Sequence, residues 1–300
     1  MITAAQGRNY YRDLHQLVIT PIAALLPSDP EAKVVFIPQG ELFQVPFPAL
    51  RNGEGQALIE AHTILTAPSI QVLGLTQDLA TPTDAFNEQD ILVVGNPTMP
   101  TIWSPQQGGT YQTLPPLPGA QREATAIAAL LNIDPLVGSA ATESTVKQAM
   151  TQAEVIHLAT HGLLEYGDVQ DSGIRDVPGA IALAPGNGED GLLTAGEILD
   201  LPLNADLVVL SACDTGLGRI TGDGVIGLSR SLITAGTPSV VVSLWAIPDA
   251  PTAELMTVFY AQLIAGRDKA QALRQAMLIT RQRYPDPRNW AAFTLIGSAE

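Results

Sequence analysis

Three hundred residues, 46% of them hydrophobic, can bury a sizeable core, which argues against global disorder. A formal net charge of −15 disfavours direct contact with nucleic acid or an acidic membrane and favours cationic ligands or basic peptide segments. The single cysteine excludes an intrachain disulfide and sets a reduced, cytoplasmic location as the expectation; no apolar run approaches the ~20 residues of a membrane span, and the first residues lack the apolar core of a secretory signal.

In chain order, Tyr10, Tyr11, Leu14, Leu17, Val18, Ile22 and Leu25 recur at helical spacing over residues 9–26. Pro21 predicts a kink or restart there. Residues 34–37 read as a short buried strand. The stretch 43–50 contains Pro46 and Pro48, which lack the N–H a central strand needs, so it reads as an edge or loop. A strand over 62–67, a helix over 69–77 and a clear strand over 90–95 follow. Residues 96–118, rich in Pro, Gly and Gln, read as an aperiodic loop and as the best candidate boundary between two parts of the chain.

The second part opens on a helix over 119–131 with Ala120, Ala124, Ile127, Ala128 and Leu131 on one face. Thr142 is placed to cap a helix reaching Met150. A buried strand ending at His161 follows, then an acidic loop over 165–178 and a strand over 179–184. Thr194 and Glu197 form a capping-box signature. Further strands end near Cys213 and Trp245, a helix spans about 224–235, and two helices at about 250–265 and 268–283 precede a last strand over 290–296. This alternation predicts an α/β fold with a mainly parallel central sheet and helices on both faces.

Two of the strands end in chemistry. Asp206-Leu-Val-Val-Leu-Ser-Ala-Cys213-Asp-Thr-Gly216 is an apolar run that stops in polar and Gly residues, with the sole cysteine at the stop. Glu154-Val-Ile-His157-Leu-Ala-Thr-His161-Gly162 has the same shape and ends in a histidine. Ligands and reactive groups collect at the carboxyl ends of parallel strands, so Cys213 and His161 pair as nucleophile and base. A buried, inert Cys213 is the bland alternative, since free cysteine is commonly a core residue. The backbone N–H groups of Gly162 and Cys213 are candidates for an oxyanion hole. His157 lies inside its apolar run and reads as a core residue. Its spacing to His161 mimics a zinc helix, but the segment reads as strand and offers no third ligand. The glycines 222, 224 and 227 mimic a dinucleotide fingerprint but follow their strand too late, so they read as the approach to a helix. Neither a metal nor a cofactor is called for.

Several motifs in order resemble the CHAT domain: His-Leu-Ala-Thr-His-Gly at 157–162, Val-Val-Leu-Ser-Ala-Cys-Asp-Thr-Gly at 208–216, Gly-Asp-Gly-Val-Ile-Gly-Leu-Ser-Arg at 222–230, Ser-Leu-Trp at 243–245 and Trp-Ala-Ala-Phe at 290–293. Ile-Pro-Gln-Gly-Glu-Leu at 37–42 and Leu-Pro-Gly-Ala-Gln-Arg-Glu-Ala at 117–124 extend the likeness over about 10–298. The resemblance implies the caspase–haemoglobinase-like sandwich of caspases, separases and gingipains, in which residues 1–110 form a degenerate subdomain and 111–300 the catalytic one. It implies a cysteine endopeptidase with a His161/Cys213 dyad and no obligatory third member, acting on a protein or peptide substrate. Relatives carry tetratricopeptide repeats upstream, so an upstream regulatory region of that type is expected in a longer parent protein. In basic-specific members an acid after the Ser-Leu-Trp strand lines the pocket for the residue before the cleaved bond. Asp249 matches that place; its other reading is a cap for the next helix. Asp168, Asp171 and Asp176 are placed to help attract a cationic side chain; their other reading is the ordinary acidity of an exposed loop. The competing function is a non-catalytic signalling or scaffold module.

Overall fold

Runs rich in Val, Ile and Leu, three to seven residues long and too short for helices, assemble into the central sheet, its inner strands largely buried and its two edge strands partly so. The computed structural model describes residues 10–80, 90–104, 109–163, 166, 179–211, 222–245 and 247–300. Within them, α1 (Tyr10–Leu14) continues as a π turn over His15–Ile19 and a 3-10 turn over Thr20–Leu25. The winding changes one residue before Pro21, which cannot donate to the helical ladder. Then come β1 (Lys33–Phe36), α2 (Leu58–Ala61), β2 (Thr63–Thr66), α3 (Ile70–Leu79), β3 (Ile91–Pro97), β4 (Thr101–Ser104), β5 (Thr110–Thr113), α4 (Pro118–Leu131), β6 (Leu136–Gly138), α5 (Glu143–Met150) and β7 (Val155–Ala159). The rest comprises β8 (Gly162–Leu163), β9 (Ala180–Ala182), β10 (Leu192–Thr194), α6 (Ala195–Leu199), β11 (Leu207–Leu210), α7 (Gly222–Thr234), β12 (Ser239–Ser243), α8 (Asp249–Ile264), α9 (Lys269–Arg283) and β13 (Phe293–Gly297).

Eight strands form one sheet in the order β1-β2-β13-β12-β11-β7-β3-β6. Every pairing is parallel except β12 with β13. Because β13 pairs parallel with β2, the strands β1, β2 and β13 run opposite to the other five. The carboxyl ends of β12, β11, β7, β3 and β6 therefore share one rim, where an α/β sheet places its chemistry.

Side chains alternate across the sheet and feed two cores. Val93, Val155, Val209 and Val241 meet Ala124, Ile127 and Leu131 of α4, Leu255, Phe259 and Tyr260 of α8, and Leu273 and Met277 of α9. On the other face Leu92, Val94, Ile156, Leu158, Val208 and Val240 meet Val146 and Met150 of α5, Ile198 of α6 and Leu228 and Leu232 of α7. Each such fully buried aliphatic or aromatic side chain contributes about 1.5–3 kcal/mol. Side-chain caps open four helices: Ser69, Thr142, Thr194 and Asp268 accept backbone N–H groups at the starts of α3, α5, α6 and α9. Among the described residues, no helix is long and apolar enough to cross a membrane.

The expectation of an aperiodic loop over 96–118 is corrected. β4 and β5 form an antiparallel ribbon with Trp103 opposite Tyr111 in an edge-on ring contact and the Thr101 and Thr113 hydroxyls 2.9 Å apart. Four-residue strands with exposed rings give too little alternation to read as a hairpin. The ribbon returns the chain so that Leu114 packs into a satellite cluster with Met99, Ile102, Leu163, Ala180, Ala182 and Leu192.

α4 lies directly against β3 at Gly95. A Cβ there would overlap the Ala124 methyl and come within 2.8 Å of the Ala120 carbonyl oxygen. Gly95→Ala is expected to cost about 1–3 kcal/mol through overpacking. Urea unfolding measures it, and an unchanged midpoint would contradict so close an approach.

Candidate functional site

His161 follows the last residue of β7 by two positions, where the chain leaves the main sheet for β8. Its backbone is strapped to β9: the Thr160 hydroxyl donates to the Ala182 carbonyl at 2.7 Å, and the Ala182 N–H donates to the His161 carbonyl at 2.9 Å. Its imidazole is fully buried. Nε2 lies 2.7 Å from the Pro115 carbonyl oxygen. A carbonyl only accepts, so Nε2 carries the hydrogen, and in the neutral ring Nδ1 holds the basic lone pair. Burial pushes His161 below its ordinary pKa, with the Pro115 hydrogen bond opposing. The ring is therefore neutral near pH 7, the form a general base requires.

Pro115 is held by its neighbours. Leu114 is buried in the satellite cluster and donates its N–H to the Pro100 carbonyl at 3.0 Å. Two residues on, the Leu117 N–H donates to Asn96 Oδ1 at 2.7 Å. Asn96 adopts a left-handed φ of 45°, a conformation that asparagine tolerates better than most residues. Its Nδ2 reaches Gln121 Oε1 at 3.2 Å, so one side chain closes both the start of α4 and the end of β3. The sequence shows no sign of a functional Pro115, because the acting group is a backbone carbonyl that any residue type carries.

Gly162 opens β8 opposite Ile181. The bond from the Ala182 N–H to the His161 carbonyl makes Gly162 and Ile181 a non-hydrogen-bonded pair, which aims the Gly162 N–H away from β9. Asp249 is the first residue of α8, whose cap position is Pro248 and lacks a side-chain cap. The capping role considered for Asp249 is thus not the one it plays. Its carboxylate lies over the backbone of Gly119 and pairs with Arg122 Nη2 of α4 at 2.6 Å, both side chains more than half exposed. Cys213 lies outside the described residues, as do Asp168, Asp171 and Asp176. Gly222 and Gly224 fall in the first turn of α7, in keeping with a helix approach.

Two other polar clusters are ordered. His157 is a core residue, as expected, with Nε2 3.1 Å from Glu123 Oε1 and Nδ1 3.1 Å from the Tyr260 hydroxyl. The carboxylates of Glu143, Glu189 and Glu197 are close enough to hold a cation. The Lys147 ammonium sits among them at 3.0, 2.7 and 3.2 Å. Burial alone would lower the Lys147 pKa, but the three carboxylates outweigh it and hold the amine above its ordinary value. This ammonium already supplies the positive charge that a metal would bring.

The CHAT domain family matches residues 8–298. The chain belongs to that family. Tetratricopeptide repeat protein 28 of Mus musculus is 31% identical over 339 residues, covering 96% of this chain and 13% of that protein, and its Homo sapiens counterpart matches to the same extent. The CHAT chain thus spans about one-eighth of the length of these relatives. Among solved structures, the Saccharomyces cerevisiae separase–securin complex superposes with a TM-score of 0.53 at 16% identity, over 85% of this chain and 15% of that one. The Arg-specific cysteine proteinase gingipain R gives 0.50 at 14% identity, over 79% and 54%. At such identities the likeness establishes fold alone. The expected caspase-like α/β architecture is what the CHAT chain adopts.

The depressed His161 pKa has a defined sign. Below about pH 6.5 the unfolded chain binds a proton that the folded ring still refuses, so stability falls as pH drops through that range. An NMR titration of the His161 ring is expected to show the Nε2–H tautomer at pH 7 and a midpoint below 6.5. A midpoint at or above 6.5 would contradict the buried, carbonyl-bound geometry.

Proposed function

We propose that this CHAT chain is a cysteine endopeptidase acting in the cytoplasm on a protein or peptide substrate, with Cys213 as nucleophile and His161 as base. The observation that carries the reading is strand register. β7 and β11 are adjacent and parallel with Leu158 opposite Leu210, and His161 and Cys213 each follow those partners by three residues. A neutral imidazole with Nδ1 basic takes the thiol proton as sulfur attacks the scissile carbonyl, then returns it to the leaving amine. The Pro115 carbonyl stabilises the transient imidazolium through Nε2–H. The Gly162 and Cys213 N–H groups receive the oxyanion, each such donor being worth ~10²–10³ in kcat where one is used.

Asp249 is proposed to select Lys or Arg before the scissile bond. Its pairing with Arg122 supports a carboxylate able to hold a guanidinium and makes Arg122 an internal competitor. The name of the repeat-protein relatives supports an upstream tetratricopeptide region in the parent protein, and the separase neighbour bound to securin sets a precedent for a protein partner. A second reading, a scaffold that never cleaves, draws support from the complete burial of His161.

An Arg-chloromethyl ketone is expected to modify Cys213, and Cys213→Ala to abolish cleavage together with cellular function. A folded protein that resists labelling, or a Cys213→Ala chain with intact function, would establish the scaffold. An exposed ion pair is worth about 0.2–1 kcal/mol, so Arg122→Ala is expected to raise kcat/KM on basic peptides about 1.4- to fivefold. Asp249→Ala removes the basic preference. Equal wild-type rates on basic and neutral peptides would remove Asp249 from substrate selection.

A further inference from the structure

β7 carries a second histidine that the peptidase reading leaves unused. His157 sits in mid-strand, in register with Val93 of β3 and Val209 of β11, on the face covered by α4 and α8. Both ring nitrogens are engaged, one by Glu123 of α4 and the other by Tyr260 of α8, each at 3.1 Å. His157 and Tyr260 are fully buried and Glu123 is 3% exposed. Burial, then the Glu123 charge, pushes the Tyr260 pKa well above its ordinary value, so the phenol keeps its hydrogen. One chain of bonds satisfies all three groups: Tyr260 O–H donates to Nδ1, and Nε2–H donates to the Glu123 carboxylate. Of the elements packed on this ring, α4 contributes the carboxylate, α8 the phenol, and β3 and β11 only valines.

Three apolar side chains would fill the same space without the desolvation cost of a buried carboxylate. What they would lack is direction. Hydrophobic packing lets a helix slide on a sheet by tenths of an ångström, whereas a hydrogen bond weakens steeply with distance and angle. That difference matters because of what precedes α4. Pro115 lies three residues before the helix, and its carbonyl sets the His161 tautomer at 2.7 Å. Asn96 and the close approach at Gly95 hold α4 to β3. The Glu123–His157 bond holds it to β7, the strand that delivers His161.

We infer that Glu123 and His157 are positioning residues: their bond pins α4 to β7 and so keeps the Pro115 carbonyl on His161 Nε2, leaving Nδ1 as the basic atom. Tyr260 orients the His157 ring. The inference rests on the assignment of His161 as the base.

The test replaces all three polar groups by apolar ones of similar shape, Glu123→Leu, His157→Leu and Tyr260→Phe together. Such a swap removes the polar groups of the network together rather than stranding one of them, and stability is expected to stay near wild type. The ¹⁵N signals of the His161 ring are expected to move from a single Nε2–H tautomer to a mixture. kcat/KM on a peptide substrate is expected to fall about 10²-fold with KM little changed, the size of effect an ångström of misplacement produces. Glu123→Gln in the otherwise wild-type chain, which keeps an acceptor for the His157 Nε2–H, is expected to retain the wild-type spectrum. A merely structural cluster predicts the opposite: wild-type His161 signals in the triple variant, whatever its melting temperature, and that result overturns the inference. Should the triple variant fail to fold, Glu123→Leu read by the same spectrum decides it in the same way. The spectrum needs no turnover, so a wild-type chain that cleaves nothing while its tautomer responds to the swap supports the pin and removes the peptidase.

Discussion

The site depends on one hydrogen bond between an imidazole and a backbone carbonyl. A histidine becomes a useful base near neutral pH only when one nitrogen is committed and the other is left basic. In the CHAT chain the committed nitrogen is Nε2 of His161 and its partner is the Pro115 carbonyl. A carboxylate in that place would bring its own charge and raise the histidine pKa. A carbonyl orients the ring with only a partial charge, so burial dominates and the ring stays neutral. This choice transfers the burden from side-chain chemistry to backbone placement. The chain meets it with several local constraints: a left-handed asparagine, a glycine under a helix and an antiparallel ribbon followed by a leucine that plugs a small core.

The same logic explains why the core facing α4 and α8 is not wholly apolar. β7 alternates Val155, His157 and Ala159 toward that face, and a valine at the middle position would pack as its register neighbours Val93 and Val209 do. The buried His157–Glu123–Tyr260 chain is the costlier arrangement, since charge and polar groups leave water for it. A fully satisfied buried network specifies one relative placement of its elements. On the opposite face, where no reactive group is delivered, the corresponding side chains of β7 are Ile156 and Leu158, and the packing is aliphatic.

Much of this was readable from the chain. Apolar runs of strand length located seven of the eight main-sheet strands within a few residues, because strands buried on both faces need continuous hydrophobicity and little else; the short β6, Leu136–Gly138, offered too few residues for that signal. Thr142, Thr194 and Asp268 announced their helices because a capping side chain must be of a particular type. His161 was legible for the same reason. What stayed hidden were interactions in which residue type carries little information. The β4–β5 ribbon is two four-residue strands in a Pro-rich stretch, Pro115 acts through its carbonyl, and Arg122 meets Asp249 across 127 residues of sequence. The role of Glu123 is hidden differently. Three residues after Ala120 and four before Ile127, it stands at the edge of the apolar face of α4, and only the histidine beneath it shows why an acid is placed there.

Charge enters the CHAT site on two length scales that act on different quantities. A net charge of −15 sets a negative field that reaches a Debye length of about 8 Å at physiological salt, which raises encounter rates with basic segments but reads no sequence. Discrimination at a single substrate residue needs a carboxylate at contact distance, and at Asp249 that contact is already made by Arg122. Under the proposed role of Asp249, a substrate guanidinium exchanges one ion pair for another, and the gain is the difference between them. Since the existing pair is exposed and solvent-screened, that difference is small unless the substrate also excludes water from the carboxylate. On the proposed role of Asp249, selectivity for a basic residue is bounded by how far substrate binding buries that carboxylate, a property of the rest of the substrate as much as of the basic side chain.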